Sequence, residues 1–315
     1  MNEHTDGLAV NVNGLSRSFR GKVALDHVDL HIPRGSIFGL VGLNGAGKTT
    51  LIRHLIGSFR SQTGTVRVLG MDPVVDCVNV LKRVGYLTEE DSLPTWMRVG
   101  ELIDFARGVY QDWDDVYATK LLDLFGLSRT DRLRSLSKGL RARAGLLVAI
   151  AHRPELLILD EPSSGLDPLA RHDILEAIIR AVSDEGRTVL FSSHLLDEVD
   201  RVCDTLALMR VGRIIETISV DAMHEQYHEI TCRSDSTAAP EVSGVFGWRG
   251  EGHEWTGVVD SAQTDSNKLE LPSSVTLISQ HSITLERWFA AKAGHERDNQ
   301  NIERSNVPTE VADVR

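Results

Sequence analysis

The run Gly42-Leu43-Asn44-Gly45-Ala46-Gly47-Lys48-Thr49-Thr50 has residue types and spacing that can hold a phosphate. It fits the pattern G-x-x-x-x-G-K-[ST]. Glycines let the backbone wrap closely around an anion, because a Cβ would block the approach or forbid the required angles. The N–H groups of the loop and the N-terminus of a following helix favour negative charge. Lys48 is placed to reach β- and γ-phosphates, and the Thr49 hydroxyl to bind Mg²⁺. This stretch alone indicates an Mg²⁺-nucleoside triphosphate site; kinases, GTPases and ATPases all remain open.

Further groups extend the chemistry. Leu156-Leu-Ile-Leu-Asp160-Glu161 is an apolar run ending in two acids. A buried strand there delivers Asp160 to an Mg²⁺ shell, and Glu161 is positioned to take a proton from an attacking water. Leu136-Ser137-Lys138-Gly139-Leu140 precedes a helical pattern, so Ser137 and Gly139 make either a second anion site or a plain N-cap. Ser164-Gly165-Leu166-Asp167 follows the paired acids. His194 ends Phe191-Ser-Ser-His, where an imidazole is either structural or a contact for a γ-phosphate.

These groups need elements to place them. Ile37–Val41 is a buried strand entering the glycine loop, and Leu51, Ile52, Leu55 and Ile56 give the following helix its apolar face, with Gly57 as its stop. Residues 8–12 and 28–32 alternate as antiparallel strands. Residues 64–69 and 84–87 are further strands. From about 94 to 153 the pattern is helical, with Val116, Leu121, Leu122, Leu124 and Phe125 on one amphipathic face and Leu140–Ile150 on another. Asp167-Pro168 is an N-cap followed by proline at the first helical position, with Leu175, Ile178, Ile179 and Val182 inward. Strands at 188–192, 205–209 and 213–216 surround a helix that begins at His194, with Leu195, Val199 and Val202 inward. Strands alternating with helices predict an α/β fold with a mostly parallel, doubly wound sheet. The character changes after about residue 225. Short strands are expected around Ile230 and at 245–248, 255–259 and 275–278, then a helix over 285–293 and a disordered polar tail over 295–315. Trp248, Trp255 and Trp288 either pack this small sheet or mark a ligand site, and packing is favoured.

The 315 residues suffice for one large and one smaller domain, and 41% hydrophobic with 25% charged residues is a globular composition. A net charge of −11 disfavours a general nucleic-acid binder. Cys77, Cys203 and Cys232 are few and scattered, which predicts reduced core thiols without disulfide or zinc. No signal peptide is expected, and the longest apolar run, 145–151, is too short to span a bilayer. The expected location is therefore cytoplasmic, with any membrane role exercised through a partner. Arg141 and Arg143 read as a solvated helix face.

With its motifs in this order, the chain over roughly residues 8–220 resembles the nucleotide-binding subunit of an ABC transporter. The resemblance implies a P-loop NTPase core, an N-terminal antiparallel β subdomain, a helical subdomain (94–153) within an ATP-binding domain over 1–225, and a small α+β accessory domain over 226–294. It implies ATP and Mg²⁺ as cofactors and ATP hydrolysis as the activity. Phe19 falls where a ring stacks on adenine. Gly42, Asn44, Gly45, Ala46, Gly47, Lys48, Thr49 and Thr50 cradle the phosphates, and Thr49, Asp160 and Glu89 face the metal. Glu161, His194 and Lys48 carry catalysis. Ser137 and Gly139 meet the ATP of a second ATP-binding subunit, identical or not, and Asp167 crosses between the two. The partners implied are integral-membrane permease subunits. Two departures stand out: Glu89 replaces the usual Q-loop glutamine, and Lys138-Gly139-Leu140 replaces Gly-Gly-Gln in the signature. Both are similar to the subgroup paired with ABC-2 type membrane subunits, many of them exporters. The competing expectation is a soluble ABC-type ATPase acting on ribosomes or nucleic acid; one motif set and an acidic charge weigh against it.

Overall fold

The computed structural model describes residues 7–89, 93–183, 186–262 and 269–292. The chain divides into two compact units, Met1–Ile218 and Ser219–Arg315. The division precedes the compositional shift at 225 because helix α8 (Val220–Gln226) packs on a strand of the second unit.

In the first unit, β1 (Leu8–Phe19), β2 (Lys22–Pro33) and β4 (Thr63–Val68) form an antiparallel sheet in the order β2-β1-β4. Along β2, Val28, Leu30 and Ile32 are buried while His27, Asp29 and His31 are exposed. That is the period-two pattern of a sheet with one wet face.

A second sheet holds β3 (Ile37–Val41), β5 (Val84–Leu87), β6 (Leu156–Asp160), β7 (Thr188–Ser193), β8 (Thr205–Arg210) and β9 (Arg213–Ser219), in the order β5-β6-β7-β3-β8-β9. The ladders from β5 through to β8 are parallel. Every residue of β6 and β7 is buried, as strands covered on both faces require. Since β6, β7 and β3 are adjacent and run the same way, their C-terminal ends bring Asp160-Glu161, His194 and the glycine loop to one edge.

Helix α1 (Lys48–Leu55) buries Leu51, Ile52 and Leu55 and packs against β2, β4 and β6. Gly57 adopts φ +73° just after it, and a Cβ there would lie 2.1 Å from the Pro73 carbonyl oxygen. Helices α2 (Cys77–Arg83), α3 (Val99–Val109), α4 (Asp115–Phe125), α5 (Lys138–Ile150), α6 (Pro168–Ser183) and α7 (Leu196–Val202) complete the unit.

Several side chains depart from the sequence expectation. Leu121, Leu122 and Phe125 of α4 are buried, but Val116 and Leu124 are 68% and 45% exposed, because the buried stripe is narrower than the apolar one. In α6, Leu175 and Ile178 are buried and Ile179 is exposed; the Val182 side chain lies outside what is described. Helix α7 starts after His194, with Leu195 extended at its N-cap and half-buried. Arg141 and Arg143 are half-buried rather than solvated, since they donate to the Leu136 and Phe125 carbonyls at 2.6 and 3.2 Å. All three cysteines are free, but only Cys203 and Cys232 are buried; Cys77 is half-exposed at the start of α2.

The second unit contains α8 and the antiparallel strands β10 (Tyr227–Ser234), β11 (Val245–Glu251), β12 (Glu254–Asp260) and β13 (Val275–Ser282), in the order β11-β12-β10-β13, followed by a helix over 285–292. Trp288 is fully buried, and Trp248 packs against a core of Ile230, Cys232, Val259 and Val275. Gly257 makes room for Trp248, whose ring would sit 2.7 Å from a Cβ there. The expected tail over 295–315 lies outside the described residues. No helix among the described residues is long and apolar enough to cross a membrane.

Candidate active site

The glycine loop turns directly from the end of β3 into α1. Gly47 sits at φ +114°, a conformation open to glycine, and serves as the N-cap of α1. Gly45 also has positive φ, at +80°. A Cβ on Gly42 would lie 2.3 Å from the Met209 carbonyl oxygen, so close packing on β8 alone requires glycine there. The Gly42 carbonyl accepts a 2.6 Å hydrogen bond from Lys48 Nζ, which curls the lysine back over the loop.

A cavity of about 370 Å³ lies over this loop, lined by Phe19, Asn44, Gly45–Thr50, Glu89 and Glu161 among others. That size suits a small-molecule ligand. Phe19 is 36% exposed at its mouth, leaning on Phe59 with ring centroids 5.5 Å apart. The Arg17 guanidinium lies 4.7 Å from the Phe19 ring centroid. The ring therefore presents a supported flat face.

Behind the loop, Asp160 is fully buried and Glu161 is 5% exposed. The register pairs Asp160 with Ser192, whose hydroxyl donates to Asp160 Oδ1 at 2.7 Å. Asp160 Oδ2 is buried and accepts no hydrogen bond among the described residues. Burial pushes the Asp160 carboxyl above the ordinary aspartate value, the Ser192 and Thr49 hydroxyls pull it back, and the charges of Glu161 and Glu89 raise it further. An orphaned carboxylate oxygen beside the Thr49 hydroxyl fits a hard cation that also takes phosphate oxygens.

Glu161 is held at φ +50°, in the left-handed region. For a non-glycine residue this is a strained conformation of the kind that collects at functional sites. Its carboxylate bridges two groups. Oε1 is 3.1 Å from Lys48 Nζ, and Oε2 is 2.6 Å from His194 Nδ1. The backbone N–H of His194 also donates to Oε2 at 3.3 Å. His194 is about one-third exposed, against 5% for Glu161.

The residues expected to serve a second subunit lie apart from this cavity. The Ser137 hydroxyl caps α5 by accepting from Leu140 N at 3.2 Å. Gly139 is buried, and a Cβ there would come within 2.9 Å of Ala170 Cβ, so its smallness also serves packing of α5 on α6. Asp167 Oδ1 accepts from Ala170 N at 2.9 Å and caps α6. The two departures noted in the sequence meet at Ser164. Lys138 Nζ donates to the Ser164 carbonyl at 2.7 Å, and the Ser164 hydroxyl donates to Glu89 Oε1 at 3.4 Å.

Sequence reasoning missed Ser192 as the partner of Asp160, and it missed the buried group Ser163, Ser193 and Glu198. The signals were two consecutive serines at a strand end and an acid one helical turn beyond His194.

Comparison with known proteins gives a consistent picture. The family model described as ABC transporter matches residues 25–164. The chain is 33% identical to the uncharacterized ABC transporter ATP-binding protein YcbN of Bacillus subtilis (strain 168), covering 70% of this chain and 72% of that one. It is 29% identical to the daunorubicin/doxorubicin resistance ATP-binding protein DrrA of Streptomyces peucetius, over 96% of this chain and 98% of that one. Among solved structures it is similar to an ATP-binding subunit of an ABC transporter, with TM-score 0.63 and 28% identity, over 69% of this chain and 92% of the other.

Proposed function

Because the chain belongs to the ABC transporter ATP-binding proteins and is an ATP-hydrolysing subunit of that kind, we propose that it powers export through ABC-2 type membrane subunits by ATP-driven closure of a dimer. The observation that carries this is the unbroken series Lys48–Glu161–His194 beside Asp160, at the C-terminal ends of three adjacent parallel strands. Lys48 and the loop N–H groups bind the β- and γ-phosphates. Phe19 stacks on the base. Thr49, Asp160 and Glu89 hold Mg²⁺, which when bound neutralises charge on the phosphate oxygens. Glu161 accepts the proton of the attacking water, and His194 orients Glu161 while its exposed side meets the γ-phosphate.

Closure follows from the placement of Ser137. Its hydroxyl oxygen is used by the Leu140 N–H, which leaves its own proton free to donate to a γ-phosphate held by another subunit. Gly139 keeps the helix start narrow and Asp167 lies across the seam. Hydrolysis removes the γ-phosphate that bridges the halves, and the dimer opens. The domains proposed are an ATP-binding domain ending at Ile218, with its helical subdomain over 94–153, an accessory domain from Ser219 to about 294, and a tail over 295–315. The protein sits on the cytoplasmic face of the membrane through its permease.

Full-length similarity to a drug-resistance ATP-binding protein supports export and leaves the ribosome or nucleic-acid reading without support. The test is purification of the tagged chain from membranes. An integral-membrane protein of about six spans should co-purify, and its presence should change the ATPase rate. Recovery of the chain alone, with an ATPase rate indifferent to membranes, would overturn the proposal.

A further inference from the structure

Glu198 lies in the first turn of α7, four residues after His194, and is 6% exposed. Its Oε2 accepts two hydrogen bonds, from the Ser163 hydroxyl at 2.6 Å and from the Ser193 hydroxyl at 3.2 Å. Both serines are fully buried. The other oxygen, Oε1, is buried with no hydrogen-bond partner among the described residues. Burying a carboxylate with so few donors is costly, and an apolar side chain would fill the space at less cost.

The positions of the two serines give the carboxylate a role. Ser163 stands two residues after Glu161, in the loop leaving β6. Ser193 is the last residue of β7 and directly precedes His194. Its Oγ also accepts the Leu195 N–H at 3.0 Å, which fixes the turn on the far side of the histidine. One carboxylate oxygen thus fastens two loops that leave neighbouring strands. The same two loops carry the Glu161 Oε2 and His194 Nδ1 atoms that lie 2.6 Å apart.

We infer that Glu198 is a positioning residue for ATP hydrolysis, acting through Ser163 and Ser193 to hold Glu161 against His194. It is not among the residues that line the cavity over the glycine loop. The inference rests on the roles given to Glu161 and His194 above.

The test is steady-state ATPase kinetics of the full chain. Glu198→Ala should lower kcat about 100-fold, the scale of a misplacement of about 1 Å, with the KM for ATP held within about threefold. Glu198→Gln keeps an oxygen that accepts from both hydroxyls and should retain kcat within about threefold. The acid limb of the kcat–pH profile should shift in Glu198→Ala and stay in place in Glu198→Gln, because only the first releases the Glu161–His194 pair. Should Glu198→Ala fail to fold, the double variant Ser163→Ala, Ser193→Ala removes both donors and should show the same fall in kcat. Parent-like kcat in Glu198→Ala, or an equal loss in Glu198→Gln, would overturn the inference. Glu161→Gln run in parallel separates the two levels. Activity surviving in it removes the pair that Glu198 would position; activity lost there but kept in Glu198→Ala removes the clamp alone.

Discussion

Lys48 Nζ lies 3.1 Å from Glu161 Oε1, and both side chains are about one-twentieth exposed. The lysine proposed to bind the γ-phosphate is thus the counter-ion of the group proposed to activate water. With those roles, an incoming phosphate would compete with Glu161 for Lys48 and, on winning, would leave the carboxylate free to work as a base. Glu161→Gln removes the competitor and the base together. Breaking a buried ion pair leaves an uncompensated charge and costs about 3–5 kcal/mol. The variant should therefore melt lower than the parent without nucleotide. It should gain more from ATP·Mg²⁺, hydrolyse at least about 100-fold more slowly, and accumulate as a dimer. Thermal melts with and without nucleotide, ATPase rates and gel filtration check all of these. Parent-like hydrolysis would show that the base lies elsewhere.

Asp160 carries a second, pH-dependent signature. Burial raises its carboxyl above the ordinary aspartate value of 3.8. A raised carboxyl binds its proton more readily in the folded chain than in the unfolded one. Its contribution to stability is therefore complete below 3.8 and is lost as pH rises through the folded value. Wherever the pH lies above the folded value, the ionised group burdens the fold. Asp160→Asn keeps an oxygen for Ser192 and drops the charge. It should melt a few degrees above the parent at pH 7, and the gap should close as the pH is brought down toward 4. The same variant should lose the stabilisation given by ATP·Mg²⁺. A gap unchanged by pH would mean that packing, and not charge, sets it.

The strand-and-loop frame of this site was legible because its signals are local. An apolar strand, a glycine loop and an amphipathic helix over Ile37–Leu55 each follow from neighbouring residues, and so does the all-apolar β6 ending at Asp160. What escaped depends on register between strands far apart in sequence. Only the parallel pairing of β6 with β7 puts Ser192 beside Asp160, and only the turn after β7 brings Glu198 under Ser163. Exposure of Val116, Leu124 and Ile179 was likewise unreadable, since an apolar residue at helical spacing does not say how wide its partner surface is. Gly139 is instructive in the other direction. A glycine suited to phosphate approach is also required by Ala170, so its presence alone does not separate the two roles.

Glu155 anchors the opposite end of the sheet, where β3, β5 and β6 begin. Its Oε2 takes hydrogen bonds from Arg83 at 2.7 Å and from Arg34 at 3.0 Å. The Arg83 hydrogen bond, helped by Arg34, holds the carboxyl below the usual glutamate value of 4.5. A lowered carboxyl gives stability that is present above 4.5 and is lost as pH falls through the folded value. The groups are substantially exposed, so solvent screening limits the network to about 1 kcal/mol. Glu155→Ala should lower Tm by roughly 2–4 °C at pH 7 in low salt. The effect should shrink in 1 M NaCl and fade as the pH falls below 4.5 through the folded value. A loss independent of both salt and pH would assign Glu155 a packing role instead.

Glu89 offers the sharpest test of a departure from the family pattern. It lines the same cavity as Lys48 and Glu161, and its charge is felt at Asp160. A third carboxylate facing the phosphates repels ATP arriving without a metal and welcomes the cation when one is present. Glu89→Gln should therefore narrow the preference for the metal complex. Glu89 is exposed, and an effect of about 1 kcal/mol, or roughly fivefold, is the appropriate scale. Affinity for ATP in EDTA should improve by that factor, while affinity for ATP·Mg²⁺ stays level or falls. Fluorescent-nucleotide titrations under both conditions measure the ratio directly. Lys138→Met is the control, because Lys138 is linked to Glu89 through Ser164 among the described residues and should leave the ratio within about twofold of the parent. If Glu89→Gln leaves the ratio of the two affinities unchanged, the carboxylate does not face the bound phosphates.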